Sequence, residues 1–256
     1  MDLGLKGKSA LVTGGSYGIG RAIALTLAAE GCRVAICARG QDRLEQTAAE
    51  IPGSLALPAD ATKPEDIHRV VDAVVQTWGT LHILVNNVGG GGGRVATSVE
   101  ETPEETWHQV YASNALAAVR FTMLAIPHMR KQMWGRVVTI ASVQGREGGG
   151  RPWYNMAKSA EISLMKTLAM DHALSRDGIT FNSIAPGRVM FDNNEWDRFR
   201  REAPERFDQS VRQQVPVERI GTPEEIAAVV AFVCSAKASL LNGASFAVDG
   251  GESRSF

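Results

Sequence analysis

The sequence contains little cysteine and no cluster of residues that typically bind metal. Its three cysteines, Cys32, Cys37 and Cys234, form no CxxC pair among 256 residues. An odd number without that spacing argues against a disulfide framework or a zinc site, so we interpret them as small buried side chains. The five histidines form neither an HxH pair nor a pair four residues apart, and we expect no bound metal.

An excess of charge of one sign is also missing. The 27 lysines and arginines balance 28 acidic residues, giving a net charge of −1 that supplies no field to attract nucleic acid or an anionic membrane. No apolar stretch approaches the roughly 20 residues of a membrane helix, and residues 1–8 lack the apolar segment of a signal peptide. These absences favour a small-molecule partner and a cytoplasmic location, without nucleic acid or membrane.

Short apolar segments rich in β-branched residues alternate with helical patterns along the chain. The predicted strands are residues 9–13, 34–37, 55–57, 83–85, 137–140, 179–181 and 245–248, and the predicted helices are 19–29, 42–50, 64–78, 103–133, 154–174 and one opened by Thr222. This alternation is typical of βαβ units. It predicts a single α/β domain over residues 1–256, a doubly wound parallel sheet of about seven strands with helices on both faces.

Three segments interrupt the alternation. Residues 89–93 and 148–150 are glycine runs that follow predicted strands, which places them at the ligand-facing edge of the sheet. Residues 190–215 are polar, charged and long for a connection, which indicates a helical lid over the site. The alternative for all three is a flexible surface loop.

A glycine-rich segment lies between the first predicted strand and the helix after it. It reads Thr-Gly-Gly-Ser-Tyr-Gly-Ile-Gly over residues 13–20. Glycines let the backbone turn tightly beside a pyrophosphate, and the amides that begin a helix favour negative charge. The spacing Gly-x-x-x-Gly-x-Gly differs from GxGxxG, so by itself the segment fits an ordinary strand-to-helix turn as well as a dinucleotide site.

Tyr154 and Lys158 are four residues apart in a predicted helix and therefore share a face. A nearby ammonium lowers the pKa of a phenol from its ordinary value by about 1–3 units, which suits a general acid and base for ketone reduction or alcohol oxidation. Ser142, at the end of a predicted strand, is placed to hold the substrate oxygen. Taken singly, each has a structural alternative: an interfacial aromatic, a solvated lysine and a strand terminus. No GxSxG surrounds any serine, which argues against a Ser/His/Asp hydrolase.

The order of these segments resembles the short-chain dehydrogenase/reductase family over essentially the whole chain. The turn at residues 13–20 resembles TGxxxGIG, residues 154–158 match YxxxK, and residues 86–89 resemble NNAG. Further matches are Asp60, Asn114, Asn182 with Pro186 and Gly187, and residues 248–251. Within the family, the chain is similar in a general way to 3-oxoacyl-[acyl-carrier-protein] reductases.

This resemblance implies a Rossmann fold, a nicotinamide dinucleotide, and hydride transfer between it and a carbonyl or secondary alcohol. The catalytic residues that it implies are Asn114, Ser142, Tyr154 and Lys158, with Asn114 anchoring a water that links Lys158 to solvent. The expected cofactor-binding residues are Gly14, Ser16, Tyr17, Gly18, Ile19, Gly20, Arg39, Asp60, Ala61, Asn87, Gly89, Tyr154, Lys158, Pro186, Gly187 and Val189. Arg39 is included because of its position after the second predicted strand. The family also implies a homo-oligomer, expected to be a tetramer.

The end of the second predicted strand favours NADP(H) as the cofactor. An NAD-preferring site places an acidic side chain there to bind the adenosine ribose, whereas this chain has Ala38 followed by Arg39. A guanidinium binds a 2′-phosphate, and Arg43 is a second candidate for that role. Tyr17, in place of a basic residue in the glycine turn, indicates a moderate preference. NAD(H) is the alternative.

The chain departs from the family pattern at Phe191, where a threonine usually contacts the nicotinamide amide. Phenylalanine cannot donate that hydrogen bond, so we expect altered geometry of the cofactor or the lid. Arg146, Arg151 and Arg188 are expected around the mouth of the site, either as anion-binding groups or as solvated charges.

Three other functions stay open. They are an NAD-dependent alcohol or sugar dehydrogenase, a non-catalytic dinucleotide-binding regulator, and a sugar-nucleotide epimerase. A regulator would be expected to lack the serine, tyrosine or lysine, and all three are present. An epimerase would need a separate substrate domain, for which few residues follow the last predicted strand.

Overall fold

Strands of apolar and β-branched residues form one parallel sheet in the computed structural model, which describes residues 1–91 and 98–255. In this part of the chain the strands are β1 (Ser9–Thr13), β2 (Arg33–Ala38), β3 (Leu55–Pro58), β4 (Ile83–Asn86), β5 (Gly135–Ile140), β6 (Ile179–Pro186) and β7 (Ser245–Val248). They pair in the order β3-β2-β1-β4-β5-β6-β7, and every pairing is parallel. The predicted doubly wound sheet is confirmed.

Helices cover both faces of the sheet. The described α-helices are α1 (Gly18–Ala29), α2 (Gln41–Ala49), α3 (Pro64–Trp78), α4 (Glu104–Tyr111), α5 (Ala117–Lys131), α6 (Pro152–Ala169), α7 (His172–Arg176), α8 (Glu195–Glu202), α9 (Pro204–Gln214) and α10 (Pro223–Cys234). Alternate β1 residues face opposite layers: Val12 packs with α1 and α10, whereas Leu11 packs with α3 and α5. Because both faces are covered, the strands need no polar alternation.

The strand order reverses at β1, which lies between β2 and β4. The connections from these neighbouring strands leave toward opposite sides, so a crevice opens beyond their carboxyl ends. The glycine turn after β1 and the glycine run after β4 both begin at this crevice. The topology therefore brings the two predicted site segments together.

Two long helices differ from their predicted form. The predicted helix 103–133 runs from Glu104 to Lys131, but Ala112–Leu116 within it forms a π-helix. The predicted helix 154–174 is two helices, because the Asp171 side chain accepts hydrogen bonds from the amides of Ala173 and Leu174 and so begins α7.

The helix from Glu104 to Lys131 is long and apolar enough to cross a membrane by length and composition, which the sequence analysis did not foresee. In the fold its residues Ala117, Phe121 and Ala125 are fully buried with α3 and the sheet. The apolar composition is thus accounted for by packing in the core.

Residues 190–215 contain α8 and α9, as the prediction of a helical lid requires. The apolar side chains of this segment form a small cluster of their own, in which Phe207, Val211 and Val215 are buried against Phe199 and Met190. The segment is therefore a folded helical unit and not a bare loop.

Glu225 closes a capping box at the start of α10, and we predict that Glu225→Ala lowers the free energy of unfolding by about 1 kcal/mol at neutral pH. Its carboxylate accepts from the Thr222 amide at 2.9 Å and from the Arg219 guanidinium at 2.6 and 2.8 Å. The hydrogen bonds from Arg219, then that from Thr222, lower the pKa of Glu225 to about 2. Denaturant unfolding measures the difference.

The pH dependence of this stabilisation follows from the lowered pKa. The contribution is fully present above the ordinary pKa of about 4.5 and is lost as the pH falls toward 2. Glu224→Ala, which removes the neighbouring exposed acid in the same turn, is the control. An equal loss in both variants would show that helix charge, and not the capping box, is responsible.

Candidate active site

The glycine turn after β1 folds closely on itself. Gly14 has a φ of +66°, and a Cβ atom at Gly20 would lie 2.2 Å from the Gly14 carbonyl oxygen, so neither position accepts a larger residue without rearrangement. No side chain of the described residues caps α1, and its first turn contains no acidic residue. The first amides of α1 are therefore available to a phosphate group, as a dinucleotide requires.

Asn87 fixes this turn to the end of β4. Its side-chain amide donates to the carbonyl oxygens of Thr13 at 2.9 Å and Gly14 at 3.2 Å. In return the Thr13 hydroxyl accepts hydrogen bonds from the amides of Asn87 and Val88, at 2.9 and 3.0 Å. Thr13, which the sequence analysis did not single out, thus holds together the two strands that flank the crevice.

A cleft of about 1890 Å³ opens at the carboxyl ends of the strands. The predicted site residues that line it are Gly14, Ser16, Tyr17, Ile19, Gly20, Arg39, Asp60, Ala61, Asn87, Gly89, Ser142, Tyr154, Lys158, Pro186, Gly187 and Val189. Gly18 and Asn114 do not line it. The structure therefore brings all but two of the predicted residues to one surface.

The second strand ends at the side of the cleft where Asp60 lies. Asp60 accepts hydrogen bonds from the Thr62 amide and hydroxyl, at 2.9 and 2.8 Å, and these bonds hold the pKa of Asp60 below its usual range with help from the charge of Arg39. Arg39 itself forms no hydrogen bond or ion pair with the described residues. Arg43, the second candidate, instead lies 4.5 Å from the centre of the Tyr17 ring. Both arginines line the cleft, and neither forms a hydrogen bond or ion pair with the described residues, so both are available to a phosphate.

Ser142, Tyr154 and Lys158 meet on the opposite side of the cleft. The Ser142 hydroxyl, just after β5, accepts from the Gln144 amide at 3.2 Å and lies near enough to the Tyr154 phenol to lower its pKa. The ammonium of Lys158 lies 5.7 Å from the centre of the Tyr154 ring. A phenol and a hydroxyl therefore line the cleft together, with an ammonium beside the phenol ring, as acid–base chemistry on a carbonyl oxygen requires.

The prediction that Lys158 lowers the net pKa of Tyr154 is wrong. Loss of water around the phenol raises this pKa above its ordinary value and outweighs the opposing effect of the Lys158 ammonium. The carboxylate of Glu161 raises it further. The motif contains the ammonium but neither the desolvation of the phenol nor Glu161, so the raised pKa of Tyr154 could not be predicted from it.

Asn114 lies at the centre of the π-helix and is fully buried. Its side-chain amide donates to the carbonyls of Val110 at 2.7 Å and Gly90 at 3.0 Å, and its oxygen accepts from the Gly90 amide at 3.2 Å. Single π turns are common at functional sites. Here the π turn lets Asn114 fix the glycine segment that follows β4.

Two of the three arginines expected at the mouth of the site are bonded to other parts of the protein. Arg188 pairs with Glu252 at 2.8 Å and donates to Ser210 at 3.0 Å, while Arg146 donates to the carbonyl of Ser245. These contacts join the loop after β6 to α9 and to the segment after β7, and the loop after β5 to β7. Arg151 lines the cleft.

Phe191 packs on the glycine turn. A Cβ atom at Gly18 would lie 2.8 Å from its ring, and the ring meets that of Tyr17 edge to face at 5.3 Å. Phe191 therefore joins the start of the helical segment 190–215 to the turn after β1.

The glycine runs lie partly in the cleft, with Gly89, Gly90 and Gly91 from the first run and Gly150 from the second among its lining residues. Gly92 and Gly93 lie outside the described residues. In the ranges 1–91 and 98–255, no three potential metal ligands gather at one place. The three cysteines are buried, and burial raises the pKa of Cys37 to about 12.

Comparison with known proteins agrees with this geometry. Residues 14–253 match the family model described as enoyl-(acyl carrier protein) reductase. The chain is 34% identical over 245 residues to the 3-oxoacyl-[acyl-carrier-protein] reductase MabA of Mycobacterium tuberculosis, covering 95% of this chain and 92% of that protein.

Two solved structures share the fold closely. L-sorbose reductase from Gluconobacter frateurii, complexed with NADPH and L-sorbose, has a TM-score of 0.91, 31% identity and full coverage of both chains. A 7α-hydroxysteroid dehydrogenase complexed with NADH has a TM-score of 0.88 and 29% identity, covering 99% and 97% of the two chains. This chain belongs to the short-chain dehydrogenase/reductase family and is an oxidoreductase.

Proposed function

We propose that this protein is an NADP(H)-dependent oxidoreductase that transfers a hydride between the nicotinamide and a carbonyl or secondary alcohol. The observation that carries the proposal is the meeting of Ser142, Tyr154 and Lys158 in the same cleft as the glycine turn. Neither feature alone specifies redox chemistry, whereas an acid–base group next to a dinucleotide site would support it.

The residues of the site divide the reaction among them. NADP(H), when bound, supplies or accepts the hydride. Tyr154 gives its phenol proton to the carbonyl oxygen during reduction and takes it back during alcohol oxidation. The Ser142 hydroxyl donates a hydrogen bond to that oxygen as charge develops on it. Lys158 lies behind the phenol, where its positive charge favours proton release.

Arg39 supports NADP(H) as the cofactor. Its guanidinium is at the end of β2, in the cleft and without a hydrogen-bonding partner among the described residues, while Ala38 leaves no carboxylate to repel a 2′-phosphate. The NADPH complex of L-sorbose reductase agrees with this assignment. The NADH complex of the hydroxysteroid dehydrogenase keeps NAD(H) as the second candidate.

A screen of the purified protein tests the proposed activity. The panel contains a 3-oxoacyl thioester, L-sorbose and a 7-oxo bile acid, chosen from the three relatives, together with simple ketones, and NADPH or NADH absorbance is followed. Turnover of any ketone with NADPH supports the proposal. Binding of NADPH without turnover of any compound would favour a dinucleotide-binding regulator instead.

The lid is proposed to close over the nicotinamide end of the cleft, and we predict that amide hydrogen exchange in residues 190–215 slows when NADPH and a substrate bind. Glu195, Trp196 and Phe199 of α8 line the cleft, whereas Arg188 ties α9 to the body through Glu252 and Ser210. The slowing should therefore be largest in α8, with α10 as the internal control. High protection in the free protein that does not change would identify a fixed segment.

We also propose that the protein is a homotetramer in the cytoplasm. The exposed apolar side chains of Met123 on α5 and Met156 on α6 support an interface along these two helices.

A further inference from the structure

Glu161 is a carboxylate buried behind the Tyr154 and Lys158 pair. It is 1% exposed, lies three residues after Lys158 on α6, and accepts hydrogen bonds from the Lys158 ammonium at 2.9 and 3.3 Å. Lys158 also donates to the Ile140 carbonyl at 2.9 Å. The other buried residues of α6 are Trp153, Ala157 and Met165, so this ion pair is the charged part of an otherwise apolar face.

Packing and stability do not explain a charge at this position. Removing a carboxylate from water is unfavourable, and the attraction of a buried partner rarely gives more stability than an apolar side chain of similar size. An aliphatic residue at position 161 would fill the same space without that cost. A role in the chemistry of the neighbouring groups is the better explanation.

The charge of Glu161 acts on Tyr154 through Lys158. Without this carboxylate, the phenol would face an uncompensated ammonium, which stabilises a phenolate. Burial raises the pKa of the Glu161 carboxyl to about 7 against the opposing effect of Lys158, so above that pH the phenol faces an ion pair whose net charge is zero. Glu195 on α8 also acts on the phenol, from another element. Its negative charge raises the pKa of Tyr154, as that of Glu161 does.

We propose that Glu161 is a positioning residue of this site: its carboxylate holds the Lys158 ammonium against the Ile140 carbonyl and offsets its charge, so that Tyr154 keeps its proton until a substrate oxygen takes it. This inference rests on the proposed role of Tyr154. The raised pKa of Tyr154, to which Glu161 contributes, agrees with it, as does the raised pKa of Lys158.

The ionisation of Tyr154 can be measured in the protein without cofactor or substrate. The ultraviolet absorbance of tyrosinate is followed against pH, and the curve of a Tyr154→Phe variant is subtracted to remove Tyr17 and Tyr111. We expect Glu161→Gln, in the background that retains Tyr154, to move the Tyr154 transition to lower pH by about one unit. Glu161→Asp keeps the charge and should titrate close to the wild type. Circular dichroism follows folding over the same pH range.

Two further variants keep the test decisive. Asp177→Asn, the matched control, breaks the 2.6 Å ion pair with Arg130. Asp177 precedes β6, at the amino-terminal ends of the strands and so away from the cleft, and the substitution should leave the Tyr154 transition in place. Glu161→Met, which fills the space with an apolar chain, should reproduce the shift if the glutamine variant does not fold. An unshifted transition in the folded Gln or Met variant would overturn the proposal, as would an equal shift in the Asp variant.

The kinetic counterpart depends on a substrate found in the screen. The alkaline limb of kcat/KM for NADPH-dependent reduction should move to lower pH in Glu161→Gln and stay in place in Asp177→Asn. If the screen finds no turnover, the proposed function fails while the absorbance titration still decides the role of Glu161. A shifted titration with an unmoved kinetic limb would show that Tyr154 is not the proton donor.

Discussion

Replacement of Tyr154 by phenylalanine is expected to lower kcat for NADPH-dependent carbonyl reduction by about 100- to 10,000-fold, the usual contribution of a general acid. The change keeps the ring and removes only the phenol hydroxyl, which shares the cleft with Ser142. Binding of NADPH, followed by the fluorescence of the reduced nicotinamide, should be nearly unchanged, because the residues proposed to hold its phosphates and adenosine lie in other parts of the cleft. The loss should therefore appear in kcat and not in the cofactor dissociation constant.

Tyr111→Phe is the matched control for this substitution. Tyr111 ends α4 and packs beside Trp153 without lining the cleft, so the same atom is removed outside the site. Its kcat should stay close to that of the wild type. Substantial activity in a pure Tyr154→Phe sample would remove Tyr154 from the role of acid and base, whatever the cofactor affinity.

The fold could be predicted from local patterns because the sheet is covered on both sides. Each strand of such a sheet is a short apolar run, and each connection is a helix with one apolar face. The boundaries that were missed depend on single side chains. Asp171 divides the predicted helix 154–174 by capping α7, and the π turn around Asn114 is set by contacts with Gly90, which is distant in sequence.

The site could be predicted where its residues are held by short spacings. The shape of the glycine turn is fixed by local backbone geometry. The four-residue spacing of Tyr154 and Lys158 places both side chains on one face of α6, so a sequence motif is enough to predict each feature. Charge balance could not be predicted in this way, because it depends on which groups are buried together. The effect of Glu161 on Tyr154, and the ion pair of Arg188 with Glu252, appear only when the elements are packed.

The cofactor preference is expected to reverse when the end of β2 is exchanged for the arrangement of an NAD-preferring site. We predict that Ala38→Asp combined with Arg39→Ala lowers the ratio of kcat/KM for NADPH to that for NADH by roughly 10- to 150-fold or more. A charged hydrogen bond to the 2′-phosphate contributes about 1.5–3 kcal/mol, which corresponds to that range. The new carboxylate adds repulsion of the phosphate to this loss.

Arg33→Ala is the control for the loss of a positive charge from the same strand. Arg33 begins β2, at the end of the strand away from the cleft, and its guanidinium lies 5.7 Å from the centre of the Trp78 ring. Arg33→Ala changes the net charge as Arg39→Ala does. It should leave the ratio of kcat/KM for NADPH to that for NADH unaltered, because the whole length of β2 separates Arg33 from the proposed binding position of the 2′-phosphate. A wild-type preference for NADH, or the same ratio in the double variant as in the wild type, would show that Arg39 does not read the 2′-phosphate. Equal effects of Arg33 and Arg39 would mean that overall charge, and not a contact at the end of β2, sets the preference.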